Sequence, residues 1–142
     1  MGMPPSGWIE DALLGRLLYV SALAAGVPVT EVSRIVGAAR LRNAEDALTG
    51  LLVFGGDTFC QYVEGPLEAV EALLRRLRAD PRHEKLQILV DGALPDGRRF
   101  SDWRLGYVDS FEHDELGLLR TLRDAAALAC FENLLPRLDV ET

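Results

Sequence analysis

The 142-residue sequence predicts one α+β domain in which two helices pack on one face of a mixed β-sheet. Two observations support this fold class. Apolar residues make up 49% of the chain and charged residues 26%, and a globular chain of this length buries enough surface to need no disulfide or metal. Segments typical of strands and of helices follow one another as βαββαββ, which contains the ferredoxin-like order.

The first strand and the first helix lie near the N-terminus. The run RLLYVSA (16–22) is apolar, contains an aromatic residue and precedes turn-forming residues, so it predicts a strand with Tyr19 and Ser21 on one face. Thr30 is a predicted N-cap, and apolar residues at helical spacing over 32–42 predict an amphipathic helix.

A hairpin and a second helix follow. The runs LTGLLVF (48–54) and TFCQYVE (58–64) flank Gly55-Gly56-Asp57, a sequence typical of a tight turn between two strands. Pro66 suits the first turn of a helix, and the leucine-rich stripe that follows it predicts a helix that ends near Asp80.

Two further strands and a helical C-terminus complete the chain. LQILVDGAL (86–94) predicts a fourth strand, and RRFSDWRLGYV (98–108) predicts a fifth after a Pro-Asp-Gly turn. Apolar residues beyond Asp109 predict one or two helices that either cover the free sheet face or form a dimer contact. We therefore expect an N-terminal extension (1–15), a domain (16–108) and a C-terminal helical extension (109–142).

Composition excludes several classes of partner. The formal charge is −7 and basic residues are interleaved with acidic ones, so we expect no nucleic-acid binding. No apolar run reaches the ~20 residues that span a bilayer, and the N-terminus lacks signal-peptide character. The only cysteines, Cys60 and Cys130, are far apart and, with His83 and His113, show no metal-ligand spacing. We expect a soluble cytoplasmic protein without a structural metal.

Gln61 is a polar residue on a strand face that is otherwise apolar, so packing of an apolar core does not explain its presence there. Its strand face otherwise carries Phe59 and Val63, and a buried amide without partners costs about 1–3 kcal/mol. Tyr19 and Asn43 are candidate partners from separate elements. The alternative is that Gln61 faces solvent, Tyr19 only packs and Asn43 caps a helix. Spacing alone names no ligand.

Five short motifs occur in an order that fits one known family. They are Tyr19-Val20-Ser21; Asn43 with Leu48-Thr49-Gly50-Leu51-Leu52; Phe59-Cys60-Gln61-Tyr62-Val63-Glu64-Gly65; Asp80-Pro81-Arg82-His83; and Arg99-Phe100 with Trp103. Each motif alone is weak, whereas the ordered set is highly specific. Over about residues 16–108 the chain resembles the BLUF family, the sensors of blue light using FAD.

This resemblance implies a flavin ring slotted between the two helices. Tyr19 matches the family's photoactive tyrosine, Gln61 its switching glutamine, and Asn43 the amide that holds the ring's carbonyl and N3 edge. The positions that match contacts to the ring or to its pyrimidine side are Arg76, Asp80, Arg82 and His83. By resemblance, light drives electron and proton transfer from Tyr19, and Gln61 changes its hydrogen bonds to the flavin.

Two positions depart from the family pattern. Arg42 stands where many relatives have Asn or His, which puts contacts to the flavin's outer edge or phosphates in doubt. Trp103 matches a tryptophan whose placement varies among relatives, and Leu105 replaces a common Met. We expect Trp103 and Leu105 to relay the signal, with the route through Leu105 altered.

The sequence therefore predicts an FAD photoreceptor and not an enzyme. No cyclase or phosphodiesterase segment follows residue 142, so we expect output through a separate protein and a homodimer or higher oligomer. One alternative is a flavin-free ferredoxin-like interaction module. Another is an acylphosphatase-like hydrolase, which would need a phosphate-cradling loop that the sequence lacks.

Overall fold

A six-stranded sheet forms the centre of the computed structural model, which describes residues 13–107 and 115–140. The strands are β1 (Leu14–Leu23), β2 (Thr49–Gly55), β3 (Thr58–Pro66), β4 (His83–Ala93), β5 (Trp103–Tyr107) and β6 (Asp139–Val140). The helices are α1 (Val32–Glu45), α2 (Leu67–Ala79), α3 (Glu115–Arg120) and α4 (Asp124–Leu134), with 3-10 turns at Val29–Glu31 and Leu135–Arg137. Most of the expected N-terminal extension and the start of the C-terminal one lie outside the described residues.

The strand order is β4-β1-β3-β2-β5-β6. β1 pairs antiparallel with both β3 and β4, β2 pairs antiparallel with β3, and β5 runs parallel to β2. The first four strands with α1 and α2 have the ferredoxin-like arrangement, and β5 makes the sheet mixed. The predicted fold class and element order are confirmed.

The two sheet faces carry separate cores. On one face, Leu17 and Val63 pack against Leu73 of α2, and Phe59 packs against Ile35 of α1. On the other face, residues of β1, β2 and β3 pack against α3 and α4; the buried members include Leu18, Val20, Val53, Cys60, Tyr62, Leu119, Ala127 and Phe131. The C-terminal helices therefore cover the sheet face that α1 and α2 leave free, which was one of the two expected arrangements.

Several boundaries differ from prediction for tertiary reasons. Thr30 is not the N-cap: it lies in a 3-10 turn, the helix begins at Val32, and no side chain caps it. β4 begins at His83, three residues earlier than predicted, so this histidine belongs to a strand. β6, a two-residue strand beside β5, was not predicted because so short a segment has no periodicity.

The fifth strand begins at Trp103, five residues later than predicted. The backbone N–H groups of Arg99 and Phe100 donate to the carboxylate of Glu64 and not to a neighbouring strand. A tertiary contact has thus removed these residues from the sheet, although their sequence is typical of a strand. Within the described chain, no helix combines the length and the apolar character needed to cross a membrane.

Candidate functional site

Tyr19 and Gln61 meet in the centre of the sheet. They are directly opposite each other in the β1–β3 register, and each is 2% exposed. Gln61 Nε2 donates a hydrogen bond of 2.7 Å to Tyr19 Oη. Burial of Gln61 with Tyr19 as its partner answers the question raised by the sequence, and the solvent-facing alternative is wrong.

The carbonyl end of Gln61 has two further partners. Asn43 Nδ2 donates to Gln61 Oε1 at 3.2 Å, and Trp103 Nε1 donates to the same oxygen at 2.9 Å. An indole N–H can only donate, so the amide oxygen must face Trp103 and the amide nitrogen must face Tyr19. Trp103 therefore points inward, and side chains from three other elements converge on the amide of Gln61.

A cavity of about 260 Å³ opens beside this network, between α1 and α2 and above the sheet. Its lining comprises Tyr19, Ile35, Ala38, Ala39, Arg42, Asn43, Leu52, Phe59, Gln61, Leu73, Arg76, Leu77, Asp80, Arg82 and His83. All the residues predicted as cofactor contacts are among them. Trp103 is not among the lining residues but bonds to Gln61, which is. Leu105 packs with Val36 and Leu52 in an apolar cluster.

Two buried polar atoms at this cavity have no hydrogen-bond partner in the protein. They are the acceptor Asn43 Oδ1 and the donor Arg76 Nη2. Arg76 Nη2 lies 3.6 Å from Asp46 Oδ2, and burial is the main reason why the pKa of Arg76 is lowered. Because buried polar groups are normally bonded, an unmatched acceptor and donor on one cavity indicate a polar guest.

Asp80, Arg82 and His83 line the cavity where α2 ends and β4 begins. Arg82 Nη2 and Nε donate to the Asp80 carboxylate at 2.8 and 3.0 Å, and these bonds hold the pKa of Asp80 below its usual range. His83 Nδ1 lies 3.0 Å from Ser21 Oγ. Burial lowers the pKa of His83, partly opposed by Asp80 at 3.8 Å, so the ring is neutral at neutral pH.

Tyr19 is held as a neutral phenol. Burial strongly raises its pKa, and the hydrogen bond from Gln61 offsets only part of that effect. Its hydroxyl hydrogen remains available after the oxygen has accepted the bond from Gln61. The site can therefore release a proton from Tyr19 only in concert with removal of an electron or with direct transfer to a bonded acceptor.

Sequence reasoning missed the role of Glu64. It lies on the other face of β3 from Gln61, is fully buried, and accepts bonds from Tyr62 Oη at 3.0 Å and from two backbone N–H groups. The available signal was a carboxylate on a strand face shared with Cys60 and Tyr62, since buried charges need specific partners.

Comparison with a family model agrees with this geometry. The model of the BLUF family, "Sensors of blue-light using FAD", matches residues 14–106. That range spans β1 to β5 and contains every residue of the Gln61 network.

Individual relatives agree as well. The chain is 32% identical over 112 residues to the blue light- and temperature-regulated antirepressor BluF of Escherichia coli, and 34% identical over 108 residues to photoactivated adenylate cyclase subunit beta of Euglena longa. The matches cover 79% and 71% of this chain but only 28% and 12% of those proteins.

Solved structures extend the likeness to three dimensions. The dark-state structure of BlrB, a BLUF protein, superimposes with a TM-score of 0.68 at 30% identity, covering 86% of this chain and 94% of BlrB. The ground state of BlsA gives 0.67 at 25% identity, covering 86% and 87%. The family match, the relatives and the shared fold together show that this chain belongs to the BLUF family of flavin-based blue-light sensors.

Proposed function

We propose that the cavity between α1 and α2 holds a flavin ring and that Gln61 is the switch between that ring and Tyr19. The observation that carries this proposal is the Gln61 amide, which is bonded at both ends on the cavity wall. Its nitrogen donates to Tyr19, and its oxygen accepts from Asn43 and Trp103. Its bonding pattern can be reversed, and the reversal involves groups on both sides of the site.

The residues present fit a flavin. The ring is planar and apolar on its faces, and the cavity offers apolar walls from Ile35, Leu73 and Leu77. Its edge carries both donors and acceptors, which suit the unmatched Asn43 Oδ1 and Arg76 Nη2. Asn43, Arg76 and Gln61 would hold the ring's polar edge, while Asp80, Arg82 and His83 close the site around it.

Three guanidinium groups favour a phosphate-bearing flavin, and we propose FAD. Arg42, Arg76 and Arg82 line the cavity. Arg76 and Arg82 lie near Asp46 and Asp80, whereas Arg42 is exposed and has no acidic partner of this kind among the described residues. An arginine so placed matches the geometry of phosphate oxygens. The Arg42 departure from the family pattern thus supports contact with the ribityl phosphate side.

A flavin that has absorbed blue light supplies an oxidant able to take an electron from a phenol. Tyr19 is the buried phenol nearest the switch, and it would pass one electron and its hydroxyl proton to a bound flavin. Gln61, bonded to that oxygen, rearranges while both are away. When the electron and the proton return to Tyr19, no atom has been gained or lost, but the Gln61 amide offers a different hydrogen-bond pattern.

Rearrangement of Gln61 must change its hydrogen bond with Trp103. If the amide rotates, its Nε2 faces the indole N–H of Trp103 and the Nδ2 of Asn43, and donors then oppose donors. If a proton moves instead, the amide oxygen gains a hydrogen and loses acceptor strength. In either case the bond of 2.9 Å between Trp103 and Gln61 weakens, so the first displaced group lies at the start of β5.

Output, location and assembly follow as further parts of the proposal. We propose that the chain is not itself an enzyme, works in the cytoplasm, and passes its signal to a separate protein. The division into residues 1–15, 16–108 and 109–142, and assembly as a homodimer or higher oligomer, are proposals of the same kind. Named relatives include an antirepressor and cyclase subunits, which use different outputs.

Absorption spectroscopy tests the proposed switch. The purified protein should be yellow, release FAD on denaturation, and show a flavin band that shifts to the red under blue light and returns in darkness. Tyr19→Phe and Gln61→Ala should bind flavin but lose the shift, because each removes one end of the 2.7 Å bond. Tyr62→Phe is the matched control, since Tyr62 lies on the opposite sheet face and should keep the shift.

Two results would count against the proposal. A colourless protein that takes up no added flavin would favour the flavin-free interaction module. A red shift that persists in both Tyr19→Phe and Gln61→Ala would leave flavin binding intact but remove these residues from the photochemistry.

A further inference from the structure

Glu64 is a fully buried carboxylate that the photochemistry does not use. It stands on β3 three residues after Gln61 and on the opposite sheet face, with the C-terminal helices above it. Burying a carboxylate costs several kcal/mol unless hydrogen bonds replace its water. A carboxyl group so placed needs hydrogen-bond partners, and the structure supplies three of them.

Those partners lie in the segment between β4 and β5. Glu64 Oε1 accepts the backbone N–H groups of Arg99 and Phe100, each at 2.5 Å, and Oε2 accepts the Tyr62 hydroxyl at 3.0 Å. Bonds from backbone N–H groups to a carboxylate are among the stronger hydrogen bonds in proteins. Glu64 therefore fixes the backbone four and three residues before Trp103.

Other hydrogen bonds also hold the segment between β4 and β5 in place. Arg98 Nη1 donates to Ala47 O at 2.8 Å and to Thr49 Oγ1 at 3.0 Å, and Gly50 N donates to Asp102 O at 2.9 Å. Residues 98–102 form no strand, so these side-chain and single backbone contacts replace a regular ladder. Of the acceptors involved, only Glu64 offers a side-chain carboxyl group, and that residue is fully buried.

We propose that Glu64 is a positioning residue that keeps Trp103 bonded to Gln61 in the dark. The segment held by Glu64 leads directly into β5, whose first residue is Trp103. With the backbone at 99 and 100 fixed, the indole of Trp103 can reach Gln61 Oε1 at 2.9 Å. Without that anchor, the start of β5 shifts and the indole leaves the amide. β3 thus carries both Gln61, the proposed switch, and Glu64, which positions the Trp103 indole that bonds to Gln61.

The exchange rate of the Trp103 indole proton tests this proposal without light. The chain has two tryptophans, Trp8 and Trp103, so Trp8→Phe leaves one indole N–H signal in the ¹⁵N spectrum of the dark protein. We expect Glu64→Ala to speed its exchange with water by about tenfold or more, because the protecting bond opens more often. Glu71→Ala removes an exposed glutamate of α2 and should leave the rate unchanged.

Glu64→Gln keeps the test decisive if the alanine variant does not fold. The amide retains one oxygen for the backbone N–H groups but loses the charge and the second acceptor, so exchange should quicken by a smaller factor. A folded Glu64→Ala or, failing that, a folded Glu64→Gln with the wild-type rate would overturn the proposal.

A double-variant comparison separates positioning from general loosening and rests on the proposed photochemistry. Glu64→Ala should change the dark-recovery rate severalfold in the presence of Trp103 and less than about twofold in a Trp103→Phe background, because coupled residues are not additive. The same fold-change in both backgrounds would show that Glu64 does not act through Trp103. If no light-induced shift exists at all, the proposed photochemistry has failed, while indole exchange still decides the role of Glu64.

Discussion

At the scale of single residues, burial keeps two titratable side chains of the site neutral. Tyr19 has a strongly raised pKa and His83 a lowered one, and in both cases loss of water is the main cause. The charged pair Asp80–Arg82 lies at the rim, where its two short bonds are partly open to solvent. In the proposed photochemistry, the neutral groups around Gln61 make its hydrogen-bond pattern, and not a charge, the quantity that light would change.

The lowered pKa of His83 predicts a stability change in mild acid. The unfolded chain binds a proton at His83 near pH 6.5, whereas the folded protein resists it until a lower pH. The contribution of neutral His83 is fully present above about pH 6.5 and is lost as the pH falls towards the folded pKa. Thermal unfolding of wild type and His83→Gln at pH 7.5, 6.5 and 5.5 measures this.

Between pH 7.5 and pH 5.5, we expect the melting temperature to fall further in the wild type than in His83→Gln. Asp80, whose folded pKa is depressed, contributes stability that is lost only at much lower pH, so it does not obscure the comparison. Equal losses in the two proteins would show that His83 does not titrate differently on folding.

At the scale of elements, β2 lies between β3 and β5, and the close approach of its backbone to β3 requires a glycine. Gly50 has a φ of +148°, a region that side chains rarely adopt, and a Cβ placed there would lie 1.9 Å from the carbonyl oxygen of Tyr62. Its N–H bonds the carbonyl of Asp102 just before β5 begins. The close approach of these strands brings Trp103 within reach of Gln61.

Substitution of Gly50 tests this close approach. Gly50→Ala should lower the free energy of unfolding by more than about 3 kcal/mol, because backbone must move and a strained φ is imposed. Gly37→Ala is the matched control, since Gly37 is an exposed position in α1 with open space around it and should stabilise by about 0.5–1 kcal/mol. Urea denaturation measures both. A Gly50→Ala variant as stable as wild type would contradict the strand packing described.

Element order could be predicted because each helix and long strand carries its own periodicity. The start of β5 could not, since Glu64 competes for the N–H groups of residues 99 and 100 from a distant part of the chain. The inward placement of Trp103 could not either, because a side-chain direction depends on what its partners offer. Tyr19, Asn43 and Gln61 could be paired from the sequence, since a buried amide has few permissible neighbours.

At the scale of the whole molecule, the sheet separates two environments. One face carries the cavity between α1 and α2, and the other is covered by α3 and α4. β3 contributes to both: Gln61 faces the cavity, while Tyr62 and Glu64 face the C-terminal helices. Arg99, whose backbone Glu64 holds, also pairs with Glu132 of α4. A continuous set of contacts thus connects Gln61 with the helices that cover the opposite face.

The central claim is that the side-chain amide of Gln61 changes its bonding when the protein absorbs light, and isotope-edited infrared difference spectroscopy tests it most directly. The chain has only two glutamines, Gln61 and Gln87, so Gln87→Ala leaves one glutamine side chain to label with ¹³C at its carbonyl. We predict a light-minus-dark amide band that moves on labelling and recovers in darkness together with the flavin shift. A full flavin shift with no label-sensitive band would contradict the account.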